Sequence, residues 1–255
     1  MSKKIKVVLI ILCIIASVVL IFNGAKTLFN EYKNLSREGN SNKYSLDSVE
    51  PKEFSPLSGM NILYLGSSVT NGSASLGTSF ADYISKRNNT TFVKEAVNGT
   101  TLVEGKGSYI ERLEGVKGEG FDLLICQLST NDATRGLPLG EPSLTDNPDK
   151  STICGAIEHI ILYARERWDC PVVFYTGSYY ESENYEAMVY ALLEIAELYD
   201  IGVIDLYTDE EFNDITDEKR ALYMADPIHP TRAGYLEWWT PRMEEYLYQY
   251  LSDKR

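Results

Sequence analysis

The chain is poor in the residues on which metal, redox and polyanion chemistry depend. It has two histidines and four cysteines among 255 residues. No Cys-x-x-Cys pair and no Cys/His cluster occurs, so neither a metal nor another cofactor is expected. Cys13 lies in an N-terminal apolar run, while Cys126, Cys154 and Cys170 read as buried free thiols. Cys154 and Cys170 flank one expected helix, about 24 Å apart along it, too far to bridge. Basic residues are also in deficit, 24 Lys and Arg against 37 Asp and Glu, for a net charge of −13. An acidic surface repels phosphate backbones and argues against nucleic acid as a partner, while keeping the chain soluble. Internal repeats are lacking. What remains is ordinary for a globular protein, 44% hydrophobic and 24% charged, and long enough for one α/β domain with a substantial core.

Long apolar runs are confined to the N-terminus. Lys3, Lys4 and Lys6 precede an uninterrupted run from Val7 to Phe22. As a helix it would measure about 24 Å, slightly short of a hydrocarbon core of roughly 30 Å, and Ile5 and Asn23 to Ala25 can extend it. Residues 1–25 therefore read as a membrane anchor. A cleaved signal peptide is the competing reading, but the best cleavage site, ending at Ala25, has Asn23 where a small apolar residue belongs. Cys13 follows Leu12, which argues against a lipoprotein anchor. With either reading the lysines stay cytoplasmic and the remainder is exported. Residues 26–57 read as a juxtamembrane helix, with Leu28, Phe29, Tyr32 and Leu35 at helical spacing, followed by a polar, flexible tether from Glu38 onward punctuated by Gly39, Pro51 and Pro56. Residues 58–255 form the main domain.

Within that domain, short apolar runs at 61–65, 91–96, 122–128, 172–176 and 203–206 predict parallel strands buried on both faces. Helical patterns at 78–87, 108–113, 152–168, 183–200 and 231–251 alternate with them. Alternation of this kind implies right-handed crossovers and a three-layer α/β/α sandwich with a central parallel sheet.

The richest local signal is Asp226-Pro227-Ile228-His229-Pro230. An aspartate three residues before a histidine, in a proline-bounded loop, can fold back onto one imidazole nitrogen and leave the other facing a pocket. That is the acid–base half of a Ser-His-Asp relay. Far upstream, the strand 61–65 ends at Gly66-Ser67-Ser68, where a serine is held at the carboxyl edge of the sheet, the edge at which open α/β sheets bind ligands. Ser68 could alternatively serve as the N-cap of the helix that follows.

Two further segments complete the pattern: Ala96-Val97-Asn98-Gly99-Thr100 and Leu128-Ser129-Thr130-Asn131-Asp132. In chain order, Ser68, Gly99, Asn131 and His229 with Asp226 closely resemble the four motif blocks of the SGNH/GDSL hydrolases, from about Gly59 to Leu251. The family's first block usually reads Gly-Asp-Ser, whereas Ser67 stands in the middle here. The resemblance implies a flavodoxin-like sandwich and selects Ser68, two residues after Gly66, as nucleophile. It implies His229 as general base, Asp226 as the group that orients it, and the Ser68 N–H, Gly99 N–H and Asn131 side-chain amide as an oxyanion hole. It gives Asp132 a supporting role in its loop.

The loop from Ala133 to Lys150 is long and rich in Gly and Pro, which suits either a substrate-binding or lid element, with Arg135 and Leu137 lining a pocket, or a plain solvated loop. Tyr179, Tyr180 and Tyr185 sit in another loop at the same sheet edge, and His159 reads as an ordinary helical surface residue. The expectation is a membrane-tethered, extracytoplasmic serine esterase cleaving small-acyl esters, above all O-acetyl groups on glycans. A lysophospholipase, a glycan O-acyltransferase and a catalytically silent surface-binding module are the alternatives. The sequence leaves the oligomeric state open.

Overall fold

A computed structural model describes residues 12, 15–19, 21, 22, 24, 25, 29 and 31–254. Five strands form one sheet: β1 (Asn61–Gly66), β2 (Thr91–Ala96), β3 (Leu123–Gln127), β4 (Val172–Tyr175) and β5 (Gly202–Ile204). All neighbours pair in parallel, in the order β2-β1-β3-β4-β5. The order reverses direction at β1, so the crevice for a ligand opens at the carboxyl ends of β1 and its neighbours β2 and β3. The helices are α1 (Ser68–Asn71), α2 (Phe80–Asn88), α3 (Tyr109–Glu114), α4 (Thr130–Arg135), α5 (Ile153–Trp168), α6 (Glu183–Tyr199), α7 (Glu210–Asn213), α8 (Asp217–Tyr223) and α9 (Thr240–Asp253). A π-helical turn, Gly234–Trp239, leads into α9.

Strand alternation sends side chains into two cores. Leu63, Leu65, Leu124, Cys126 and Phe174 pack beneath α3, α5 and α6. Ile62, Tyr64, Ile125, Val173 and Tyr175 face α2, the π-turn and α9, where Phe80, Trp239 and Met243 are fully buried. Each buried Leu, Ile or Phe contributes about 1.5–3 kcal/mol, and two full faces of such residues account for the three layers. Helix starts follow local chemistry: the side chains of Ser108, Ser129, Thr152 and Ser182 each accept an N–H from the first turn that follows. Cys126, Cys154 and Cys170 are free and buried.

Two expectations are revised. The segment from Glu38 to Leu57 is not a flexible tether. It forms three short 3₁₀ turns and lies against the domain, with Tyr44, Val49 and Leu57 at 4%, 6% and 0% exposure. Lys52 reaches the buried Glu244 of α9 at 2.8 Å, where Arg87 and Asn88 of α2 also converge. Single apolar anchors spaced through polar sequence carry no periodicity, which is why the segment reads as linker. The loop after α4 is likewise packed down: Ser143 N donates to Glu158, Thr145 N to the Tyr199 hydroxyl, and the Pro138 and Leu139 carbonyls accept from the first turn of α5.

Half of the anchor run Val7–Phe22 lies outside the described residues. Among the described residues no helix is long and apolar enough to cross a membrane.

Candidate active site

The turn from β1 into α1 presents Ser68. Gly66 is obligatory there, because a Cβ would sit 1.7 Å from Thr70 Oγ1 and 2.9 Å from Gln127 Oε1. Gln127, a polar residue at the end of an otherwise apolar strand, is 1% exposed, and its Oε1 is the hub below the turn. It accepts from Ser67 N at 2.9 Å and from Thr70 Oγ1 at 2.9 Å, and Thr70 Oγ1 also meets the Tyr175 hydroxyl at 2.6 Å. Ser67 is the N-cap residue of α1, so the N-cap reading of Ser68 does not hold. Ser68 is the first residue of that helix, and its N–H has no intrahelical acceptor.

Ser68 Oγ lies 2.7 Å from His229 Nε2, across 161 residues of sequence. On its far side His229 Nδ1 lies 2.9 Å from both oxygens of Asp226. The same carboxylate accepts the backbone N–H groups of Ile228 and His229, each at 2.9 Å, so one local turn shapes the Asp-His unit. Partial burial works against the charge of Asp226, but the hydrogen bond and charge of His229 and the two amides outweigh it and hold the carboxyl down at about 2. Asp226 is therefore a carboxylate throughout the neutral range, as orientation of a histidine tautomer requires.

Gly99 and Asn131 come to the same edge. Gly99 is exposed in the turn after β2 with φ of +77°, and its carbonyl accepts from Arg135 at 2.6 Å. Its N–H has no partner among the described residues. Asn131, in the first turn of α4, directs Nδ2 to Ser67 Oγ at 3.2 Å and to Thr100 O at 3.0 Å. Its amide is thus fixed beside the residue preceding Ser68. Asp132 is fully buried and accepts the N–H groups of Leu102 and Val103, tying the Gly99 loop to α4. Burial raises its pKa, against hydrogen bonds from Ser129, Leu102 and Val103.

Three supporting residues escaped the sequence reading. Arg112 joins Gly66 O, Glu95 O and Thr100 Oγ1, clamping the ends of β1 and β2 to the Gly99 turn. Ser67 holds Asn131, and Gln127 holds Ser67. Only Gln127 left a sequence signal, as a lone amide in an apolar strand. Other candidates fall outside the constellation. Arg135 braces the Gly99 turn from an exposed position, and Leu137 packs against the core. His159 pairs with Glu114, while Tyr180 and Tyr185 pack with Tyr207. Among the described residues no cluster of His, Cys, Asp and Glu could hold a metal. A serine hydroxyl bonded to an imidazole, which is in turn bonded to a carboxylate, is an arrangement able to deliver an alkoxide to an acyl carbonyl.

A crystal structure 26% identical to this chain matches with a TM-score of 0.62, covering 77% of this chain and 98% of its own. A protein from Lactobacillus plantarum, 20% identical, matches at 0.62 over 77% of this chain and 98% of its own. A member of the lipolytic protein G-D-S-L family from Veillonella parvula, 18% identical, matches at 0.56 over 73% and 97%. No curated protein matches the chain. The model of the GDSL-like lipase/acylhydrolase family matches residues 64–236, a span that runs from β1 through the Asp226–His229 turn. This chain belongs to the GDSL-like lipase/acylhydrolase family, and it is an ester hydrolase.

Proposed function

We propose that the protein is a serine esterase that works through an acyl-enzyme and removes small acyl groups, acetyl above all, from hydroxyls of a polar, carbohydrate-like alcohol. Ser68 attacks the ester carbonyl as His229 Nε2 takes its proton. The tetrahedral oxyanion is met by the N–H groups of Ser68 and Gly99 and by the Asn131 amide, each such donor being worth roughly 10²–10³ in rate. His229 returns the proton to the leaving alkoxide, and water then repeats the sequence on the acyl-serine, with Asp226 orienting the imidazole throughout.

The observation that carries the choice of alcohol is the cavity beside His229. It has a volume of about 460 Å³ and is bounded by Lys33, Asn34, Arg37, Ser73 and Asn98. Such a wall suits hydroxyl-rich groups better than a hydrocarbon chain. A second groove, about 650 Å³, also borders Asp226, with Tyr179, Tyr180, Met224 and Pro227 in its walls beside Glu181, Asp217 and Arg220. This groove favours the second reading, a lysophospholipase that accepts a longer acyl chain.

Hydrolysis of p-nitrophenyl esters from acetate to dodecanoate, alongside acetate release from O-acetylated oligosaccharides, separates the two. The proposal expects the highest kcat/KM at acetate and acetate release that is lost in Ser68→Ala. An optimum at eight carbons or more would replace it with the lipase reading.

We further propose that the N-terminal segment anchors the enzyme with this domain outside the cell. Support comes from Lys3, Lys4 and Lys6 before the apolar run and from exposed Leu12, Ile15, Val18, Val19, Ile21 and Phe22. Fractionation of cells tests it: the full-length chain should pellet with membranes and be digested by protease added to intact cells.

A further inference from the structure

The cavity beside His229 is completed by residues that precede the family domain. The family match begins at residue 64, yet Glu31, Lys33, Asn34 and Arg37 line the cavity together with Asp226 and His229. Residues 31–35 are helical, and their position is set by specific bonds. Asn34 Nδ2 donates to Ser73 O at 3.3 Å. Asn40, 3% exposed, donates to Asn34 O at 2.9 Å and to Ala74 O at 2.8 Å, and accepts from Arg232 N at 2.9 Å. Gly39 sits so close to the turn around Leu222 and Thr231 that a Cβ would lie 2.1 Å from Leu222 O. The segment is thus bolted both to the turn after α1, which follows Ser68, and to the residues just after His229.

Its charges are the second observation. Arg37 Nη2 donates to Ala225 O at 2.8 Å, the carbonyl next to Asp226. Arg37 Nε is buried without an acceptor, and no carboxylate pairs with Arg37 or Lys33 among the described residues. The facing carboxylates are Asp226, already occupied by the His229 ring and two amides, and Glu31, which is exposed. What sets these two cations apart in a chain of net charge −13 is their place in the wall of the cavity that Asp226 and His229 also line.

We propose that the segment 31–40 is a specificity wall, in which Arg37, assisted by Lys33, binds an anionic group carried by the alcohol portion of the ester. The inference rests on the esterase reading above and names its substrate more closely: an acyl ester whose leaving alcohol bears a carboxylate or phosphate. Charge-assisted hydrogen bonds from a guanidinium to such a group are strong enough to sort substrates roughly tenfold.

Two aryl acetates test it, 4-acetoxybenzoate and its neutral methyl ester, assayed with the full-length chain and each normalised to its rate of hydroxide hydrolysis. The parent should favour the anionic ester by about tenfold in kcat/KM, chiefly through KM, with the preference shrinking as salt is added. Arg37→Gln, which keeps a donor for Ala225 O but no charge, should lower that ratio at least fivefold. Lys33→Gln, at an exposed position, should lower it two- to threefold. A parent ratio at or below one, or a ratio unchanged in both variants, overturns the specificity wall while leaving the esterase intact. Failure to cleave either ester, with activity equal to that of Ser68→Ala, overturns the esterase reading and this inference with it.

Discussion

The two halves of the site are built in opposite ways. Ser68 stands on a buried platform: β1 ends beneath it, and Ser67, Gln127, Thr70 and Tyr175 form a hydrogen-bonded stack with almost no solvent contact. Asp226 and His229 occupy a surface turn, their side chains 48% and 24% exposed. That turn is held by its own hydrogen bonds, by one bridge between Met224 and Pro230, and by Arg37 and Asn40 of the upstream segment. The proposed nucleophile is thus positioned by the core and the proposed base by local geometry. Damage beneath the nucleophile should therefore appear as lost stability, and damage to the base as lost rate.

The sharpest separation is expected from Ser68→Ala. It removes the attacking atom from a surface already supported from below, so kcat should fall by roughly 10⁴ or more with the melting temperature nearly unchanged. Unfolding by this variant would mean that the hydroxyl, and not the platform, holds the turn.

Asp226→Asn follows. Loss of the orienting carboxylate should lower kcat by about 10²–10⁴. Because this carboxyl is held down at about 2 in the folded chain, its contribution to stability is complete above the ordinary aspartate range and disappears as pH falls through about 2. Being half exposed, it should contribute under about 1 kcal/mol, so parent and variant should melt alike near pH 2 and differ slightly at pH 6. Near-full activity of the variant at neutral pH would reduce the relay to a Ser-His pair.

Gln127→Leu tests the opposite half. Without Oε1 the buried N–H of Ser67 and the Thr70 hydroxyl lose their shared acceptor, at a cost of about 2–4 kcal/mol in denaturant unfolding. A variant as stable as the parent would show that the platform is held by packing alone.

The smallest effect belongs to Ser67→Ala. The hydroxyl steadies Asn131, whose amide keeps Thr100 O, so kcat should drop only about two- to fivefold. A loss as large as that from Asp226→Asn would make the Ser67–Asn131 contact central to transition-state binding.

Much of this molecule was legible from local pattern. The strands 61–66 and 172–175 stand where continuous apolar runs placed them, because a strand buried on both faces has no other composition available. The segment 91–96 forms a strand as expected, but it is an edge strand, exposed or half-buried along its length and not buried on both faces. The helical patterns at 108–113, 152–168 and 183–200 likewise match α3, α5 and α6, which the side chains of Ser108, Thr152 and Ser182 cap. The Asp226–His229 contact spans three residues, short enough for loop geometry to dictate it. The last helical pattern was right in extent, but it conceals a π-turn that aims Trp238 and Trp239 into the core, where Phe212 stacks on Trp238.

By itself, then, the sequence determined the layers of the sandwich, the order of its strands along the chain, and the residues proposed for the chemistry. The first two follow from hydrophobic period, the Asp226–His229 pair from short-range spacing, and the remaining candidates from the resemblance of the motif blocks. Tertiary structure alone decided what surrounds that chemistry. Gln127 meets Ser67 across 60 residues, Arg112 meets Gly66 across 46, Arg37 meets Ala225 across 188, and Lys52 meets Glu244 across 192. A polar side chain that finds its partner at such separations leaves no period in the sequence, and a buried one reads like any exposed one until the fold removes it from water.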